Sequence, residues 1–207
     1  MNPWLHIPLA DYEAHMALPQ VAQARMLALQ MARFAEETRP HSLAVAGVAG
    51  GNGLEELSPE ITRRVVAIDV NRDYLAACEN RYAGRFDQFE AVEHDLSLGM
   101  PEMPPVDAIF AGLVLEYVNV KSFCASLAAA LKPAGHFAAV LQLPSPDLPE
   151  VSETPYTSLK ALAATFHPVS PLELVTLLVA QGFALVKSEE TCLHSGKTFH
   201  LGHWQRK

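Results

Sequence analysis

Residues 43–69 read LAVAGVAGGNGLEELSPEITRRVVAID, and the fold follows from how this stretch divides. Leu43-Ala44-Val45-Ala46 is a short apolar run of the kind that forms a parallel strand buried on both faces. It leads into Gly47-Val48-Ala49-Gly50-Gly51-Asn52-Gly53, where four glycines and one alanine leave little side-chain bulk. Such a loop turns sharply and can bring bare backbone against a ligand. Leu54-Glu55-Glu56-Leu57 reads as a first helical turn, cut off by Ser58-Pro59. Arg64 to Asp69 is a second strand with an acid at its C-terminal end. Strand, glycine-rich loop, helix, strand and acid make the layout of a nucleoside site in an α/β fold.

The commonest ligand of this layout is a dinucleotide, whose fingerprint keeps a third small residue so that pyrophosphate can sit on a helix N-terminus. Here Glu56 fills that third position, and two glutamates in the first turn repel a diphosphate. The expected ligand is a nucleoside without phosphates, its ribose hydroxyls bonded to Asp69. An NAD-dependent oxidoreductase is the alternative this reading disfavours.

At these residues the chain resembles the Rossmann-like (class I) S-adenosylmethionine-dependent methyltransferases. Their first motif is an acid, one residue, then G-x-G-x-G; aligned on Ala49-Gly50-Gly51-Asn52-Gly53, the first glycine is Ala49 and the acid is Gly47. The resemblance runs from about Ser42 to Leu143 and more loosely to the C-terminus. It implies an α/β three-layer sandwich with a seven-stranded, mostly parallel sheet ending in an antiparallel hairpin, plus an N-terminal helical arm. It implies S-adenosylmethionine as cofactor, held by Gly47, Val48, Ala49, Gly50 and Gly51, by Asp69 and Val70, by Asp95 and Leu96 near the adenine, and by Gly112 and Leu113. On the same analogy the arm lays Tyr12, His15 and Met16 over the pocket, and Glu116 and Tyr117 face the acceptor. Each has a plainer reading: the arm residues only pack the arm, Asp95 caps a turn, Glu116 faces solvent and Tyr117 fills the core. No catalytic residue is assigned. The two departures keep open a non-catalytic S-adenosylmethionine-binding protein.

Composition sets bounds. At 207 residues the chain reads as one methyltransferase-like domain: arm and helix over 1–40, cofactor-binding core over 41–143, loop and helix insertion over 144–170, helix and hairpin over 171–207. A net charge of -8 argues against nucleic acid phosphates and for a small-molecule substrate. Cys78, Cys124 and Cys192 are widely spaced and form no metal-ligand pair. With no signal-peptide pattern and no apolar run of membrane-spanning length, the expectation is a cytoplasmic protein away from membranes. The arm closes over its own site or over that of a second subunit in a homodimer; the sequence leaves both open.

The remaining elements follow from periodicity and punctuation. A mixed arm precedes position 20, with a short helical turn from Asp11. Helices are expected over 20–37 and 71–82, the second capped by Asn71, and over 121–131 and 156–166. Strands are expected over 86–93, 106–114 and 136–143, the last after a Lys132-Pro133-Ala134-Gly135 turn. Ser170-Pro171-Leu172-Glu173 opens a helix that Gly182 stops. Two strands, 183–191 and 198–204, close the chain; His194, His200 and His203 read as surface residues at or within their ends, with no metal site.

Overall fold

In the computed structural model, which describes residues 2–207, seven strands form one sheet in the order β3-β2-β1-β4-β5-β7-β6. They are β1 (Ser42–Ala46), β2 (Arg64–Asp69), β3 (Gln88–Glu93), β4 (Val106–Gly112), β5 (Leu131–Gln142), β6 (Phe183–Cys192) and β7 (Thr198–Arg206). The first five pair in parallel, and β7 runs antiparallel between β5 and β6. Five helices accompany them: α1 (Leu9–Ala17), α2 (Gln23–Thr38), α3 (Arg72–Tyr82), α4 (Val120–Ala130) and α5 (Pro171–Ala180). The three-layer α/β sandwich with a terminal antiparallel pair is the architecture formed.

The alternation of β1 builds both layers. Leu43 and Val45 pack with Met31 and Phe34 of α2 and with Leu75 and Cys78 of α3. Ala44 and Ala46 face the other way, toward Phe123 and Leu127 of α4 and Leu174 and Leu178 of α5. Each large side chain so buried contributes about 1.5–3 kcal/mol. The chain lays β2 and β3 on one side of β1 and then returns to place β4 on the other. A crevice opens at that reversal, beyond the C-terminal ends of the strands.

Several local expectations need correction. The glycine loop is followed by a three-residue 3-10 turn, Leu54–Glu56, and not by an α-helix. The turn expected from Asp11 is a nine-residue helix, α1, while α2 starts only at Gln23 because Ala22 is left-handed, with φ 52°. Residues 157–164 form 3-10 turns, not an α-helix. The Lys132-Pro133-Ala134-Gly135 turn is a bulge within β5: Val106 pairs with Leu131, yet Ala108 pairs with His136. Lys132 Nζ clamps the bulge, 2.9 Å from Asp107 Oδ1. Ser170 makes no side-chain cap; Pro171 alone starts α5. His200 and His203 are buried, not at the surface; His203 lies under the Phe34 ring of α2, edge-on at 5.2 Å, with its Nε2 3.0 Å from His136 Nδ1. His194 is exposed. Among the described residues no helix is long and apolar enough to cross a membrane, and no group of three or more His, Cys, Asp or Glu side chains is placed to hold a metal ion.

Candidate active site

A cavity of about 570 Å3 lies at the crevice. Its floor comes from the ends of β1, β2 and β4, through Gly47, Ala49, Asp69, Val70, Gly112 and Leu113. Asp95 and Leu96, just after β3, close one side. Asn2, Trp4 and Tyr12 close the other from the arm. The arm is tied to its own domain: Asn71 Nδ2 donates to Trp4 O (2.8 Å) and Tyr74 Oη to Ile7 O (2.8 Å).

Asp69 is 7% exposed and faces this cavity, at the tip of β2. Its Oδ2 accepts from Ala49 N and its Oδ1 from Asn71 N, each at 2.9 Å. Burial pushes its pKa up, opposed by those amide bonds. Each oxygen keeps a lone pair for a ligand hydroxyl. Asn71 Oδ1 accepts from Asp73 N and Tyr74 N, so the cap expected of Asn71 fixes the start of α3 beside the acid.

Within the loop only Gly47 and Ala49 reach the cavity wall. The amides of Gly47 and Val48 are spent on Ile68 O, at 2.9 and 3.1 Å, and the Val48 side chain is buried in the core beneath. A Cβ at Gly50 would strike Glu13 Oε1 and Arg81 Nη1, and one at Gly51 would strike the Tyr82 ring. Those two glycines make room for α1 and α3, while Val48, Gly50 and Gly51 lie off the wall. Glu55 reaches back over the loop: its Oε2 accepts from Gly53 N (2.9 Å) and from Tyr82 Oη (3.1 Å). The amide a diphosphate would need is thus occupied by a carboxylate, and a single 3-10 turn offers no helix dipole. The same loop explains the missing acid. Gly47 has φ +71°, and a Cβ there would lie 2.7 Å from Val114 Cγ2.

Asp95 Oδ1 accepts from Ser97 N at 2.9 Å, capping the next turn, and Asp95 also lines the cavity.

A second cavity of about 480 Å3 adjoins the first, and Trp4, Tyr12, Leu113 and Tyr117 belong to both. Trp4 meets Tyr12 edge-on at 5.7 Å between centroids and Tyr117 at 5.1 Å. Tyr12 also stacks on Tyr74 at 6.2 Å. Met16 and His15 of α1 line the second cavity, and His15 Nδ1 lies 2.9 Å from Thr154 Oγ1. Burial, with Lys197 nearby, holds the His15 pKa below its usual value.

Glu116 overturns its solvent-facing reading: it is 1% exposed, on the wall of the second cavity. Gln142 N donates to its Oε1 at 2.7 Å, and its Oε2 has no partner. Burial pushes its pKa up to about 7. Tyr117, half-buried between the cavities, does not sit in the main core.

Residues not anticipated include Asn2, Trp4, Tyr74, His94 and Gln142. For Trp4 the signal was present: a tryptophan in a proline-containing arm needs somewhere to bury its ring. Gln142 and Tyr74 carry no such signal, because their roles depend on strand register and helix rotation.

Fold and crevice define a Rossmann-like α/β domain built around a nucleoside-sized site. Residues 45–139 match the family model described as a methyltransferase domain. Over that stretch, a little under half of its length, the chain is similar to methyltransferase domains. Solved structures share its fold at low identity. The N-methyltransferase NodS from Bradyrhizobium japonicum WM9, in complex with S-adenosyl-L-homocysteine, is 15% identical with a TM-score of 0.66, covering 91% of this chain and 88% of that one. Magnesium protoporphyrin IX methyltransferase from Synechocystis PCC 6803, with bound S-adenosylmethionine, is 12% identical with a TM-score of 0.65, covering 90% and 81%. The [4+2]-cyclase SpnF is 13% identical with a TM-score of 0.66, covering 86% and 81%. No curated protein matches the sequence.

Proposed function

We propose that the protein transfers the methyl group of S-adenosylmethionine to a small-molecule acceptor, with donor and acceptor in the adjoining cavities. The observation that carries this reading is Asp69, buried yet facing a cavity at the topological switch of the sheet. In this reading Asp69 accepts from the ribose hydroxyls. Asp95 and Leu96 meet the adenine, Val70 packs against it, Gly47 and Ala49 run along the amino-acid tail, and Gly112 and Leu113 approach the reactive end. Tyr12, His15, Glu116 and Tyr117 line the acceptor side.

The bound cofactor supplies an electrophilic methyl on a sulfonium. The chain's own contribution is to align the two occupants and exclude water, an effect worth about 7–11 kcal/mol when the geometry is near attack. The half-buried Trp4, Tyr12 and Tyr117 close the junction between the cavities with ring edges and faces, which suit a cationic centre. The net charge of -8 favours a small acceptor over nucleic acid. That SpnF is a cyclase on a similar fold means the reaction must be argued from the site and tested.

Calorimetric titration with S-adenosylmethionine, S-adenosylhomocysteine and NADH is the test. Binding of the first two and none of NADH is expected; binding of NADH alone would overturn the proposal. Cofactor binding with no methyl transfer to any of a broad acceptor panel would leave a binding protein.

A further inference from the structure

We propose that the second cavity receives an amine, and that Glu116 takes the proton this amine gives up as it is methylated. The inference rests on the methyl-transfer reading above and deepens it by naming acceptor class and base.

Three observations meet in this cavity. First, Glu116 is held, not adrift: Gln142 N fixes Oε1, while Oε2, buried and without a partner, belongs to a residue on the cavity wall. A buried acceptor left unpaired is costly, so a ligand that donates to it is favoured over one that does not. Second, no lysine or arginine lines the cavity. His15 is kept neutral by burial. Lys197, behind the wall, is occupied by Glu150 O (2.7 Å) and Gln142 Oε1 (3.3 Å). A carboxylate or phosphate acceptor would find no counter-charge. Third, Trp4, Tyr12 and Tyr117 stand where this cavity meets the first. Aromatic walls with the carboxylates of Glu116 and Glu150 are the surroundings an ammonium prefers.

Proton removal is then required. An ammonium has no lone pair, and it would sit beside the positive sulfonium. The proton passes from nitrogen to Glu116 Oε2. The nitrogen lone pair forms the new C–N bond as the S–CH3 bond breaks and leaves its electron pair on sulfur. Besides Gln142, the titratable groups that share the cavity wall with Glu116 are Tyr12 and His15 from α1, the adjacent Tyr117 and Glu150 from the following loop. Burial is the largest cause of its raised pKa, about 7, which suits a base at neutral pH.

The test compares wild type with Glu116→Gln on arylamines, alkylamines, phenols and carboxylic acids, following S-adenosylhomocysteine release, with cofactor affinity by calorimetry and amine binding by Trp4 fluorescence. Turnover of amines over carboxylic acids is expected. Glu116→Gln should keep cofactor affinity within about twofold and lose about 10²–10⁴-fold in turnover. With an arylamine, already neutral across the range, the wild-type rate should rise with pH through about 7. That wild-type profile tests the base even if the variant does not fold. A preference for phenols or carboxylic acids, undiminished turnover in Glu116→Gln, a flat profile, or cofactor binding with no amine turned over would each overturn the inference and leave the cofactor reading standing. Failure to bind S-adenosylmethionine would overturn both.

Discussion

Asp69 Oδ2 accepts a hydrogen bond from Ala49 N at 2.9 Å, so the acid that faces the cavity also holds the glycine loop in place. One side chain thus shapes the site and binds in it, and its removal should act on both.

Asp69→Ala should weaken S-adenosylmethionine binding by about 1–3 kcal/mol, the cost of stranding buried hydroxyls. Asp69→Asn should fall between, because an amide can accept on only one of the two sides where Ala49 N and Asn71 N now donate. Calorimetric titration of the three proteins checks the order. Equal affinities would remove Asp69 from the ribose role.

Restoring the family acid should fail. Gly47→Asp places a Cβ 2.7 Å from Val114 Cγ2 at a φ of +71°. A loss of about 1–3 kcal/mol in stability is expected. Adding Val114→Ala should recover the steric part and leave the backbone part. Urea denaturation of the single and double variants measures both.

Trp4→Ala should separate the arm's role from that of the sheet. It deletes two edge-on ring contacts, to Tyr12 and Tyr117, each worth about 0.5–1.5 kcal/mol beyond area burial. Trp4 lies outside the sheet on both cavity walls. Cofactor affinity should drop about tenfold, and the melting temperature should fall by about 2–12 °C.

Stability should respond to pH through two opposed groups. Glu116 rises from 4.5 to about 7 on folding, so the folded state holds a proton that the unfolded chain has lost. Between those values its contribution falls as pH rises. His203 drops from 6.5 to about 4 through burial and the neighbouring His136, so the unfolded chain protonates first, and stability falls as pH drops across that window. Glu37 and Lys187 also face His203. Each effect is on the order of 3 kcal/mol. Glu116→Gln should steepen the loss of stability on acidification from pH 7 to pH 5, and His203→Gln should flatten it. Denaturant midpoints at fixed pH steps decide.

How much was legible follows a physical division. The strands from Ser42 to Asp69 could be read because a buried parallel strand is apolar on both faces and Asp69 interrupts that run at its tip. Asn71 could be read because capping is local. The resemblance supplied the seven-stranded, mostly parallel sheet and its terminal antiparallel pair. What failed was decided elsewhere in the chain. The small size of Gly50 and Gly51 also makes room for Arg81, Tyr82 and Glu13, which no local pattern links to them. Glu116 is acidic at the start of a turn, ordinarily a solvated position, and only the Gln142 amide from β5 holds it inside. His200 and His203 lie in a strand whose alternation is weak, and His203 is covered by Phe34 of α2, which is far away in the sequence.

Trp4, Tyr12, Leu113 and Tyr117 form a single partition between two chambers. Any shift that one occupant imposes on those rings is felt by the other, and linkage requires the coupling to be equal in both directions. Donor and acceptor should therefore alter each other's dissociation constants by the same factor. A spent donor that relaxes the partition would in turn loosen the methylated product.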